Sequence, residues 1–175
     1  MCKLSSILPP LTYDYAEINP KGLVPAVEYQ GKALYESLVL CEFLEDAYPS
    51  HGKNLLTNDP YTKAYIRIWI DHITKNIIPS NMRLVMAQGE EKQKAALEEF
   101  LTALRTYVSK IKGPFFLGEE FSLADVAIAP WIMRDYVLTE HRGYSREAVS
   151  PEWKAYCEAI EVRPSVANTM SVRDI

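Results

Sequence analysis

The 175-residue chain is poor in the residues that most often announce a chemistry. Its three cysteines, Cys2, Cys41 and Cys157, are odd in number and widely spaced, which argues against a disulfide framework and for a reducing compartment. Its three histidines, His51, His72 and His141, include no pair at metal-ligand spacing, so no metal site is expected. Lysine and arginine form no run and the formal net charge is -4, so the basic stripe of a nucleic-acid binder is missing and no nucleic-acid partner is expected. No apolar run approaches the roughly 18 residues of a membrane span. The opening Met-Cys-Lys-Leu-Ser-Ser-Ile-Leu-Pro-Pro lacks the apolar stretch and cleavage signature of a signal peptide. Together these lead to the expectation of a cytoplasmic protein without a membrane partner. There is no glycine-rich phosphate loop and no strand–helix alternation long enough for a dinucleotide fold.

What remains is an ordinary globular composition, 48% hydrophobic and 24% charged, with eleven tyrosines. Pro9-Pro10 favours extended backbone, and Asn19-Pro20-Lys21-Gly22 is a turn signal. Residues 24–29 and 32–35 read as two strands joined at Gln30-Gly31, an antiparallel hairpin. Ser37 opens a helix with Leu38, Cys41, Leu44 and Tyr48 at helical spacing, and Pro49 stops it. A polar linker separates a first domain, 1–49, from a second, 55–175. The second domain reads as all helix. Tyr61, Tyr65, Ile68, Trp69, Ile73 and Ile77 make one face, interrupted by Pro79. A long helix follows over 90–112, ended by Gly113-Pro114. Ser122 and Asp125 form a capping box before a helix over 123–137 that is apolar on most sides, the mark of a buried central helix, with a kink expected at Pro130. A last helix covers 152–162 and breaks at Arg163-Pro164-Ser165.

Two short segments carry chemistry. Val24-Pro25 places a proline among strand residues. A cis bond there would turn the Val24 backbone outward to pair with an extended peptide; a plain edge-strand proline is the alternative. Glu36-Ser37 stands at a helix start, where free amides and the helix dipole suit a carboxylate and Glu36 suits an ammonium; simple capping by Ser37 is the alternative. Both lie on one hairpin, so together they suit a ligand with a peptide backbone and an amino-acid end. Glutathione has both.

The stretch Asn19-Pro-Lys-Gly-Leu-Val-Pro25 followed by Leu34-Tyr-Glu-Ser37 resembles the glutathione site of the glutathione transferase superfamily. Cys41-Glu-Phe-Leu-Glu-Asp-Ala-Tyr-Pro49, Asp59-Pro-Tyr-x-Lys-Ala64, Ser122-Leu-Ala-Asp125 and Arg163-Pro-Ser165-Val extend the likeness over about 17–170, nearest to the omega class and its fungal relatives. The resemblance implies an α+β fold, a truncated thioredoxin-like part (hairpin plus helix) ahead of an all-α domain. It implies that Val24, before a cis Pro25, pairs with the cysteinyl unit of glutathione, that Glu36 and Ser37 hold the γ-glutamyl end, and that Ser122 and Asp125 are structural. Only 18 residues precede Asn19. The first strand, first helix and second strand, which carry the family's thiolate-stabilising Tyr, Ser or Cys, are therefore expected to be missing, and no catalytic residue is assigned. Cys2, beside Lys3, and Ser5, Ser6, Tyr13 and Tyr15 are unproven substitutes. Cys41 and Cys157 read as core. Trp69, His72, Met82, Met86, Trp131 and Tyr136 are candidates for an apolar substrate pocket, with plain core packing as the alternative.

The implied activity uses glutathione as cofactor: thiolate addition to a small apolar conjugated electrophile, giving either conjugation or cis–trans isomerisation, in a homodimer that could serve secondary metabolism. An omega-like thiol transferase, dependent on Cys2, and a non-catalytic interaction module are the other readings.

Overall fold

The computed structural model describes residues 19–50, 52 and 54–169. The chain divides into two compact units between Asn54 and Leu55.

In the first unit, strands β1 (Ala26–Tyr29) and β2 (Lys32–Tyr35) pair antiparallel, with Ala26 opposite Tyr35 and Tyr29 opposite Lys32. Gln30 and Gly31 take positive φ values of 51° and 74°, the mirror-image turn whose twist suits a two-residue hairpin. Val24 and Pro25 fall outside the ladder, so β1 is shorter than the 24–29 expected. Helix α1 (Ser37–Ala47) follows and ends before Pro49. Its buried residue is Leu40, while Leu44, expected inward, is 47% exposed. Tyr29 meets Phe43 edge to face at 5.0 Å, which ties the hairpin to the helix.

The second unit is helical. Asp59 accepts the Thr62 amide at 2.7 Å and Pro60 fills the first turn, so α2 (Pro60–His72) starts where both signals agree. Pro79 does not interrupt the helical path beyond it. The chain widens into a π-turn at Ile73–Ile77, with the Ile78 amide bonding to the Ile73 carbonyl, and α3 (Ile78–Met86) continues from it. Pro79 then sits in a first turn, where its missing N–H costs little, and the Ser80 hydroxyl donates to the carbonyls of Asn76 and Ile77 at 2.7 and 3.0 Å.

Helix α4 (Glu90–Val108) leads into a turn where a Cβ on Gly113 would lie 3.0 Å from the Gly118 Cα, so a side chain there would displace backbone. Helix α5 (Leu123–Ile132) is buried at Leu123, Ala127, Ile128 and Ile132 and contacts both α2 and α8 (Pro151–Val162). It holds Pro130 near its C-terminal end and stops short of the 123–137 expected; α6 (Tyr136–His141) starts afresh after a turn. Two single-turn pieces escaped the periodicity: α7 (Arg146–Val149) and α9 (Pro164–Ala167), the latter started by the proline expected only as a break.

The core joins Ile66, Ile70, Ile73 and Leu84 to Leu104, Tyr107, Ile128, Tyr156 and Ile160. The Asp125 carboxylate lies inside it. Asp125 accepts the amides of Phe116 and Ser122, the Ser122 hydroxyl and the Tyr156 hydroxyl, all at 2.7 to 2.8 Å.

Candidate functional site

Asn19 builds the first part of the site. It is buried, its side-chain oxygen accepts the Lys21 amide at 3.0 Å, and its Nδ2 donates to the Leu23 carbonyl. The Gly22 amide returns to the Asn19 carbonyl at 2.9 Å, with Gly22 at φ 65°, a conformation glycine takes without strain. This turn holds Lys21 and leads directly into Val24. The Val24–Pro25 bond is cis, and Val24 is 82% exposed.

The hairpin then delivers Glu36. Its backbone at φ 74°, ψ 112° is one that L-residues rarely adopt. Glu36, not Ser37, holds the cap position of α1, and Ser37 is the first helical residue. Among the described residues no side chain caps this helix, and its first turn carries no acidic residue. The amides there stand without an internal partner at the positive end of the helix dipole, a place suited to a carboxylate. The exposed Ser37 hydroxyl lies in the same turn. The Glu36 carboxylate meets Lys21 Nζ at 2.6 Å, and this hydrogen bond holds the Lys21 ammonium above its ordinary pKa. Both side chains are more than half exposed, so the pair adds little to stability. Its effect is to fix two opposite charges beside the uncapped helix start. Lys21 and Asn19 were given no role of their own in the sequence, where they marked a turn and belonged to the stretch that carries the family resemblance.

The cysteines among these residues are poor nucleophiles. Burial first, and then Glu45, push the half-buried Cys41 thiol up, and burial pushes Cys157 up well beyond its ordinary range. Cys2, Ser5, Ser6, Tyr13 and Tyr15 lie outside the described residues.

The candidates for an apolar pocket are dispersed. Trp69 packs against Tyr65, Tyr107 and Phe116, with ring centroids 6.1 to 6.2 Å apart. His72 is engaged at both nitrogens: Nε2 lies 3.0 Å from the Ala103 carbonyl and Nδ1 3.2 Å from Asn76 Nδ2. Met82 and Met86 are exposed on α3. Of the six, Tyr136 lines a cleft in this unit, with Phe121, Met133 and Val166 among its neighbours.

A hairpin entered through a cis proline, a helix start after it with no side-chain cap among the described residues, and a separate helical unit define a class. The family described as "Glutathione S-transferase, N-terminal domain" matches residues 5–47, and "Glutathione S-transferase, C-terminal domain" matches 83–159. The chain belongs to the glutathione S-transferase family and is omega-like. The crystal structure of glutathione transferase Omega 3C from Trametes versicolor is similar at 55% identity and TM-score 0.90, over 93% of this chain and 70% of that one. The probable glutathione S-transferase parC of Nicotiana tabacum is 30% identical over 92% of this chain and 72% of its own length. Glutathione S-transferase omega-1 of Sus scrofa is 36% identical over 66% of this chain and 48% of its own. Rice GST1, solved in complex with glutathione, is 27% identical at TM-score 0.81, over 89% of this chain and 72% of that one. In this family glutathione is a co-substrate, which corrects its reading as a cofactor.

Proposed function

We propose that this chain binds glutathione on its hairpin unit and directs the thiol to a small, apolar, conjugated electrophile. In this reading the Val24 backbone, ahead of cis Pro25, pairs with the cysteinyl unit, and Glu36 with Ser37 holds the γ-glutamyl end. The observation that carries it is the uncapped start of α1, flanked by the Lys21–Glu36 pair: amides for a carboxylate, with a carboxylate and an ammonium for the charged ends of a peptide.

The thiolate adds to the electrophilic carbon and forms a C–S bond. Protonation and release of the adduct is conjugation. Rotation about the weakened double bond followed by expulsion of the thiolate regenerates glutathione and gives the geometric isomer. Homodimer assembly, cytoplasmic residence and service in secondary metabolism belong to the same proposal. Among the described residues the sheet has two strands, and the tendency of open sheet edges to be covered supports the dimer.

The test is calorimetric titration of the full chain with glutathione. Binding with a micromolar to millimolar Kd is expected, weakened about tenfold in Ser37→Ala; an unchanged Kd in that variant would remove the assignment. Incubation with a cis-configured conjugated enone then separates the outcomes. Conjugation consumes glutathione mole for mole, whereas isomerisation leaves its concentration constant.

A further inference from the structure

Lys21 meets Glu36 across the open end of the hairpin. Ala26 and Tyr35 face each other at that end of the ladder, and the two charged residues come from the segments just outside it. The backbone is fixed on both sides. Buried Asn19 holds the Lys21 amide and the Leu23 carbonyl with its side chain, and Glu36 enters α1 at φ 74°. The side chains are free to exchange partners: they are 58% and 54% exposed, so separating them costs little. Lys21 Nζ also lies 5.8 Å from the centroid of the Tyr35 ring, a weak contact that keeps the ammonium over the hairpin when the carboxylate lets go.

An α-amino-acid head carries an ammonium and a carboxylate on one carbon. With the carboxylate at the start of α1, the ammonium has Glu36, at the cap position of the same helix, as its acceptor. That acceptor already holds an ammonium, that of Lys21, at 2.6 Å. Like charges repel, so the incoming ammonium gains Glu36 only as Lys21 leaves it, and Lys21 then needs a new counter-charge. The ligand's own carboxylate, bound at the neighbouring helix start, supplies it. A ligand with both charges thus replaces one ion pair by two. A ligand with one charge either has to displace Lys21 without offering it a partner, or leaves Lys21 on Glu36.

We propose that Lys21 is a specificity-determining residue of the hairpin site: its ammonium occupies Glu36 in the empty site, yields Glu36 to the α-ammonium of a γ-glutamyl group, and pairs with the α-carboxylate of that group. The inference rests on the assignment of Glu36 and Ser37 to the γ-glutamyl end. It makes the site selective for a complete α-amino-acid head over either half of one.

Two analogues of glutathione each keep one charge of that head: glutaryl-Cys-Gly keeps the carboxylate and γ-aminobutanoyl-Cys-Gly keeps the ammonium. Both are titrated by calorimetry, beside glutathione, into the full chain as wild type, Lys21→Met and Lys21→Arg at low ionic strength, where exposed charges are least screened. Glutathione is expected to bind the wild type about tenfold tighter than either analogue. Lys21→Met is expected to move the analogues in opposite directions. The ammonium analogue binds about threefold tighter, because its competitor for Glu36 is gone, and the carboxylate analogue about threefold weaker, because Glu36 now repels it uncompensated. Lys21→Arg, which keeps the charge, retains the wild-type order. A merely structural role of Lys21 would move both analogues the same way. Because Lys21 is exposed, its replacement disturbs no core packing. Shifts of the same sign, or no shift in either analogue, overturn the proposal and leave the glutathione reading standing, provided glutathione itself binds. No binding of glutathione to the wild type overturns both.

Discussion

Tyr156 donates its hydroxyl hydrogen to Oδ1 of Asp125 at 2.7 Å, and the Tyr107 hydroxyl lies 3.2 Å behind it. Because Tyr156 spends its proton on the carboxylate, Tyr107 must donate to Tyr156, and the chain of bonds runs one way. Burial pushes the Asp125 carboxyl up, and the donors around it pull it back. Asp125→Asn replaces one acceptor oxygen by a donor amide that faces other donors. It is expected to cost about 3 kcal/mol in urea unfolding, whereas Tyr156→Phe, which removes two bonds but leaves the carboxylate its other donors, costs about 2 kcal/mol. Equal losses for the two variants would show that the carboxylate is not the centre of the network.

Glu36 pairs an unfavourable backbone, φ 74° and ψ 112°, with an exposed side chain. Glycine accepts that backbone without the clash. Glu36→Gly is therefore expected to raise thermal stability, by about 1 kcal/mol, and to lower the affinity for glutathione. Thermal melts and titrations on the same preparation decide it. A variant that is less stable would mean that the conformation carries no strain.

Arg146 bridges Asp135, with a 10% exposed side chain, and Glu161. Burial pushes the Asp135 carboxyl up, opposed by the guanidinium. Arg146→Leu leaves that buried carboxylate without its counter-charge, with only the Tyr144 hydroxyl, among the described residues, still bonded to it, and a loss of about 3 kcal/mol is expected. The double variant D135L/R146L should regain more than half of it, because replacing a buried pair costs far less than breaking it. Losses that add instead of cancelling would sink this account.

Asp59 gives a pH signature. The Thr62 hydrogen bonds hold its pKa below the ordinary 3.8, so the folded state favours the ionised form. Its contribution is fully present above about pH 4 and is lost as pH falls through the lowered value. The gap in urea midpoint between the wild type and Asp59→Ala should close over that acid range. Asp59→Asn, which caps without a charge, should show no such change.

Much of this was legible in the residues. Gln30-Gly31 marked the hairpin, Ser122 and Asp125 marked the cap of the central helix, and Glu36-Ser37 marked a helix start. These signals depend on near neighbours in the sequence. Pro79 misled because a proline argues against a regular helix, and the structure departs from regularity just before it. Leu44 misled because helical spacing gives a face, and which way the face turns is decided by what packs on it: Phe43 and Leu40 took the inward side. The partner of Lys21 was invisible for the same reason. Its significance lies in a carboxylate 15 residues away, that of Glu36.

The π-turn at Ile73–Ile77 acts as a phase shifter. It admits one residue more than an α-helical path would, and so rotates everything after it by about 100° relative to an uninterrupted helix. Leu84 faces the core and Met86 faces away only with that rotation in place. Removing a single residue from the turn would straighten the helix and carry the wrong side of α3 inward. In this stretch the number of residues constrains the protein more tightly than their identity.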